Sequence, residues 1–282
     1  MLIKRVVAGA LRILPDSIKE TLLSLLFDDA LSSRTSALHL CLSTEWSLKN
    51  LSGNGVHPAC TIDCGAYVGN WTRMVKNIFP DTRVLMIEAN PERERDLREV
   101  ASAYPQTVDY AIALLGAREQ ASTQFHQMGS GSSVFREQSN VPGRAIMLPV
   151  RTLDAVVHEK GLQDIDLMKI DVQGAEIEVL KGGLDTLRST QVIVLETSFL
   201  QYNKGAPLVG EVIAFMETQG FVIYDIGTMT RWSTGHILLQ ADLIFVQRNS
   251  PLRPEHFQFP RYLRLSDQVP AQLPRDRIVS QA

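Results

Sequence analysis

The sequence predicts an α/β fold: a mostly parallel, doubly wound sheet with helices on both faces. Two observations carry that prediction. Short apolar runs such as Arg83-Val-Leu-Met-Ile87 and Val192-Ile-Val-Leu-Glu196 alternate with amphipathic helical stretches, as in crossover-connected strands covered on both sides. Four acids, Asp63, Glu88, Asp171 and Glu196, each end one of these runs. Ligands of such sheets bind at the carboxyl ends of the strands, so these acids mark a candidate site.

Composition narrows the class. The chain has 282 residues, 45% apolar and 21% charged, ordinary for a soluble globular protein. A net charge of −3 gives no electrostatic case for nucleic acid. The three cysteines lack CxxC spacing, which argues against a disulfide framework and fits a reducing, cytoplasmic compartment. No apolar run is long enough to span a bilayer. Residues 1–15 begin with a basic pair and an apolar stretch, but Arg12 interrupts it and no small-residue cleavage site follows. They read as an amphipathic helix that packs on the domain, a partner or a membrane surface.

Residues 1–57 read as a helical N-terminal segment, with leucines at helical spacing from about 16 to 52. Ser52-Gly-Asn-Gly55 and Pro58 break it before the first strand. After the glycine turn at 65–69, Trp71, Val75, Ile78 and Phe79 give a helix one apolar face. The second strand ends in Glu88-Ala-Asn-Pro91, and proline followed by acids starts the next helix. A third strand is expected from Val108 to Leu114. Ser122 to Met128 and Ala145 to Val150 depart from the alternation as two extra strands, joined through Gly129-Ser-Gly-Ser-Ser133, a hairpin or a lid. Thr152 caps a short helix.

The fourth strand of the alternation, Asp166 to Asp171, leads into a helix from Ala175 that carries Ile177, Leu180, Leu184 and Leu187. Gly182-Gly183 marks an end or irregularity in it. A helix over Val209 to Met216, stopped by Gly220, precedes two last strands, Phe221 to Ile226 and Asp242 to Val246. The domain is bounded at 58–248, and 249–282 reads as an irregular tail.

The turn Asp63-Cys-Gly65-Ala-Tyr67-Val-Gly69 identifies the cofactor class. Glycines at a strand–helix turn let a ligand approach the backbone, and the helix end favours polar or anionic groups. Dinucleotide folds use Gly-x-Gly-x-x-Gly, yet Tyr67 replaces the second glycine and an acid precedes the first. An aspartate there suits a cationic amino group better than a diphosphate. Glu88, roughly 20 residues beyond Gly69, is placed to accept from both ribose hydroxyls. These features favour S-adenosylmethionine over NAD. Ala89 beside Glu88, and Ile112 and Ala113 ending the third strand, are placed to line its nucleoside.

The chain resembles the FkbM family of class I S-adenosylmethionine-dependent methyltransferases. The motifs are Thr61-Ile-Asp63-Cys-Gly65-Ala-Tyr-Val-Gly69-Asn-Trp-Thr72, Met86-Ile-Glu88-Ala-Asn-Pro91, Pro149-Val-Arg-Thr-Leu-Asp154 and Met168-Lys-Ile-Asp171-Val-Gln-Gly174-Ala-Glu176-Ile-Glu-Val-Leu-Lys-Gly182. The resemblance implies a Rossmann-like seven-stranded sheet with an antiparallel last strand. It also implies O-methylation of a hydroxyl on a sugar or natural-product-like acceptor, a small molecule or glycan. Two positions depart from the family pattern: Tyr67 where Asn is usual, and Gln173 where Glu is usual.

In-line transfer to an alcohol needs alignment and proton removal. Asp171 is the first candidate base, with Glu176 and Glu196 placed to orient the acceptor or bind a divalent ion. As an isolated carboxylate Asp171 needs a raised pKa or a metal-bound acceptor. Bland alternatives stand beside each role: Asp63 as turn-former, Glu88 as helix cap, Asp171 and Glu176 as acceptors for their own turn. Lys169 reads as a structural partner for an acid. A non-catalytic cofactor-binding or scaffold protein of the same fold, kept open by Gln173, and an NAD-dependent oxidoreductase are the competing readings. The histidines show no metal-ligand spacing.

Overall fold

The structure, a computed structural model, describes residues 43–138, 143–232 and 235–253. The N-terminal stretch 1–15, the helices expected before residue 43 and most of the expected tail lie outside the described residues. The first described element is α1, Thr44–Gly53. Ser43 caps it, its hydroxyl accepting from the Trp46 amide, and fully buried Leu48 and Leu51 anchor it. Each such leucine contributes roughly 1.5–3 kcal/mol.

The alternation follows as β1 (Cys60–Cys64), α2 (Asn70–Ile78), β2 (Arg83–Glu88), α3 (Glu94–Ala103) and β3 (Val108–Ile112). Asn90 caps a single 3-10 turn, Pro91–Arg93, ahead of α3, so the proline start expected for that helix is a short preamble to it. Three short strands come next: β4 (Leu114–Leu115), β5 (Gln120–Gln127) and β6 (Arg144–Arg151). The remaining elements are α4 (Leu153–Glu159), β7 (Leu167–Ile170), α5 (Glu176–Lys181), α6 (Leu184–Ser189), β8 (Val192–Ser198), α7 (Val209–Thr218), β9 (Phe221–Arg231) and β10 (Leu238–Gln247).

Seven strands form the main sheet in the order β3-β2-β1-β7-β8-β10-β9. All neighbours pair in parallel except β10, which runs antiparallel to both β8 and β9. The chain reverses direction across the sheet at β1/β7, the switch point where such folds bind ligands. β1 and β7 are buried at every position, as a strand covered on both faces must be.

Two expectations change in detail. The third strand was expected to reach Leu114, but it ends at Ile112, and Leu114–Leu115 pairs instead with β6 in a separate three-stranded sheet, β4-β6-β5. The helix expected through Leu187 is two helices parted at Gly182-Gly183. Close packing explains the split. A Cβ on Gly182 would lie 2.1 Å from the Gly116 carbonyl oxygen, and one on Gly183 would lie 2.6 Å from Leu153. Leu184, counted on the apolar face, is consequently 38% exposed.

Candidate active site

A cleft of about 640 Å³ opens over the carboxyl ends of β1, β2, β7 and β8. That volume lies within the roughly 300–1,000 Å³ of small-molecule sites. One half is a glycine turn and an apolar slot: Gly65, Ala66, Tyr67, Ile87, Glu88, Ala89, Ala113, Leu114, Leu115, Phe125 and Val134. The other half is polar and acidic, with Lys169, Asp171, Gln173, Glu196, Gln240 and Asp242 beside Trp71 and Met74. Thr44 and Glu45 of α1 and Thr228 of β9 close that end, and Gly129 to Ser132 border the cleft as well.

The turn after β1 is shaped by close approach. Gly65 has φ +79°, and a Cβ there would lie 1.8 Å from the Asp171 carbonyl oxygen. The amides of Gly65 and Ala66 donate to the Ile87 carbonyl, so they brace the turn against β2. Glu88 holds the same turn: Oε2 accepts from the Tyr67 amide at 2.8 Å and Oε1 from the Asn90 amide at 2.8 Å. Each oxygen keeps a further lone pair for a hydroxyl donor in the cleft. Burial pushes the Glu88 carboxyl up, opposed by these backbone bonds.

Four of the residues singled out in the sequence do not line the cleft. Asp63 is fully buried. Its Oδ2 accepts from the Thr72 hydroxyl at 2.8 Å, while Oδ1 has no hydrogen-bond partner and lies 4.0 Å from Lys169 Nζ. Gly69 serves packing, since a Cβ there would lie 2.6 Å from Val100. Ile112 pairs with Glu88 across the sheet, and the cleft wall continues from the next residue, Ala113. Glu176 turns inward, its Oε1 accepting from the Val172 and Gly174 amides at 3.3 and 2.9 Å. Burial pushes its carboxyl up to about 7. The other seven, Gly65, Tyr67, Glu88, Ala89, Ala113, Asp171 and Glu196, do line the cleft.

The polar end is one connected network. Lys169 donates to Asp171 Oδ2 at 2.9 Å, and Gln173 Nε2 donates to Asp171 Oδ1 at 2.8 Å and to Glu196 Oε2 at 2.5 Å. Gln240 Nε2 reaches both Glu196 Oε2 and the Tyr202 hydroxyl at 2.6 Å, and that hydroxyl donates to Gln173 Oε1 at 2.8 Å. Burial alone would raise the Asp171 carboxyl, but Lys169 and the side-chain hydrogen bonds outweigh it and hold the group below its ordinary value. Glu196 is driven well above its own by burial and by Asp171 beside it. Burial disfavours the Lys169 ammonium, yet Asp171 and Asp63 keep it firmly protonated. The raised pKa required of Asp171 as base is therefore absent; at this end of the cleft it is Glu196, and also Asp242 through its burial, whose proton affinity is raised.

Sequence reasoning missed Asp242, Gln240, Thr228 and Thr44. Asp242 stands opposite Glu196 in register. It lies on the antiparallel strand, whose amino-terminal half reaches the rim where the parallel strands end. A search restricted to carboxyl ends of strands passes over it. Thr44 Oγ1 donates to Asp242 Oδ2 and lies 3.0 Å from the Thr228 hydroxyl, which ties α1 to the wall. His126 and His236, weighed as rim residues, do not line the cleft. No three His, Cys, Asp or Glu are grouped to hold a metal among the described residues.

Strand order, switch point and cleft define a Rossmann-like α/β domain of the doubly wound kind. The chain belongs to the methyltransferase FkbM domain family, whose model matches residues 63–223. It is 43% identical to the 2-O-methyltransferase NoeI of Sinorhizobium fredii over 60 residues, which cover 21% of this chain and 25% of that one. It is 29% identical over 175 residues to the AMB antimetabolite synthetase AmbE of Pseudomonas aeruginosa, covering 49% of this chain and 8% of the synthetase. The chain thus spans a quarter or less of the length of these curated relatives. The crystal structure of a methyltransferase FkbM from Methylobacillus flagellatus aligns with TM-score 0.44 and 15% identity, over 66% of this chain and 43% of that one.

Proposed function

We propose that the chain is an S-adenosylmethionine-dependent O-methyltransferase acting on a hydroxyl of a sugar or natural-product-like acceptor. The observation that carries this reading is one cleft with two unlike halves: a glycine turn, Glu88 and an apolar slot face a carboxylate network. The slot between Ala89, Leu115 and Phe125 suits a flat base, and the free lone pairs of Glu88 suit ribose hydroxyls. When bound, the donor supplies a methyl group on a positively charged sulfur. Asp63 acts from beneath, as a partner of Thr72 and Lys169, and stabilises the turn that carries the methionine end.

At the acceptor end Glu196 is preferred over Asp171 as base, because burial and the neighbouring Asp171 carboxylate raise its proton affinity while Lys169 lowers that of Asp171. Asp171, ionised by Lys169, orients the hydroxyl. The described cleft residues include one cation, Lys169, already engaged by Asp171. That balance favours uncharged or cationic acceptors over phosphorylated ones. The relation to a 2-O-methyltransferase supports oxygen as the methylated atom.

Calorimetry with S-adenosylhomocysteine and NAD tests the donor. S-adenosylhomocysteine should bind, and Glu88→Gln should weaken it by about tenfold or more, the loss expected of a hydrogen bond to a charged group. Preference for NAD refutes the reading. With an acceptor found among uncharged glycans, Glu196→Gln should abolish turnover while leaving S-adenosylhomocysteine affinity within about twofold.

A further inference from the structure

The turn after β7 is built around Gln173. Its backbone is left-handed, φ +55°, a conformation that costs about 1 kcal/mol or more outside glycine. Surrounding groups fix it there. Its carbonyl accepts from the Ser133 hydroxyl at 2.8 Å and from Asn203 Nδ2 at 2.7 Å. Glu176 holds the amides on either side of it. Because the Tyr202 hydroxyl donates to Oε1, the amide is oriented with Nε2 toward the two carboxyls.

Both hydrogens of that nitrogen are used, one on Asp171 and one on Glu196. Two half-buried carboxyls side by side are stabilised by a cation, a proton or a donor between them. A bridging divalent ion would bond oxygens of both groups at about 2.0–2.6 Å. The Gln173 nitrogen, 2.8 and 2.5 Å from Asp171 Oδ1 and Glu196 Oε2, occupies that place.

We propose that Gln173 is the positioning residue of this carboxylate pair, its amide standing where a metal ion would otherwise bridge Asp171 and Glu196. The pair is then held without a metal, and glutamate at this position converts it into a three-carboxylate site for a divalent cation. This inference is independent of which methyl donor or acceptor the cleft takes.

The test is Mn²⁺ titration of the full chain, followed by electron paramagnetic resonance. Wild-type protein should bind no Mn²⁺ that depends on Asp171 or Glu196. Gln173→Glu should take up one equivalent and lose it when Glu196→Gln is added. Mn²⁺ bound by wild-type protein and released by Asp171→Asn overturns the proposal, as does a folded Gln173→Glu protein that gains no ion.

A second variant covers failure of Gln173→Glu to fold. In Gln173→Met one of the two amide donors to Glu196 is gone and only that of Gln240 remains, while Asp171, Asp242 and Glu176 still face that carboxyl. The Glu196 midpoint, read by carbon-detected NMR titration, should then rise by about one unit or more. An unchanged midpoint shows that Gln173 is structural only and overturns the proposal.

Discussion

Tyr67 and Gln173 both have left-handed backbone, φ +51° and +55°, and both depart from the pattern of the family the chain resembles. Asparagine tolerates that region well and tyrosine poorly, so Tyr67 needs support. Glu88 accepts from its amide, and the Arg93 guanidinium stacks 4.9 Å above its ring. Glu176 shows a different use of a carboxyl. Its folded pKa is about 7 against an ordinary 4.5, so the folded state holds a proton that the unfolded state releases. The resulting stabilisation is complete below the unfolded value and is lost as pH rises through about 7. Glu176→Gln, which mimics the protonated form, should match wild-type stability at about pH 4 and exceed it by about 3 kcal/mol at about pH 8. Urea unfolding at the two pH values checks this. An equal difference at both would mean that Glu176 is ionised in the folded protein.

Between elements, the contact of Gly182 with Gly116 decides where α5 ends and where the loop after β4 lies. Gly182→Ala forces a methyl group onto a backbone oxygen 2.1 Å away, which cannot swing aside as a side chain does. It should cost about 2 kcal/mol in denaturant unfolding; a neutral result would show that the two loops move apart freely. α1 is likewise fixed by contacts distant in sequence. Thr44 bonds Thr228 and Asp242, and Ser47 Oγ donates to Asp225 at 2.7 Å. The polar end of the cleft is therefore completed by residues outside the matched family domain, 63–223.

Across the whole molecule, the cleft joins β1, β2, β7, β8 and β10, so a ligand filling it ties both halves of the sheet. S-adenosylhomocysteine at a hundredfold excess over its dissociation constant should raise unfolding stability by about 2.7 kcal/mol. No rise in the denaturant midpoint would mean that the cleft does not bind it. The sequence by itself determined the alternation of strands and helices, the glycine turn and the acids at the strand ends, because buried parallel strands and close turns restrict residue choice locally. It also marked Asp171, Glu88 and Glu196 as residues of the rim. Only the tertiary structure decided that Asp63, Gly69, Ile112 and Glu176 do not line the cleft, and that Asp242 and Thr44 join its wall. Strand direction and register bring together residues far apart in sequence, as with Glu196 and Asp242. Likewise, the proton affinity of a carboxyl is set by such neighbours in space, Lys169 for Asp171 and Asp171 for Glu196.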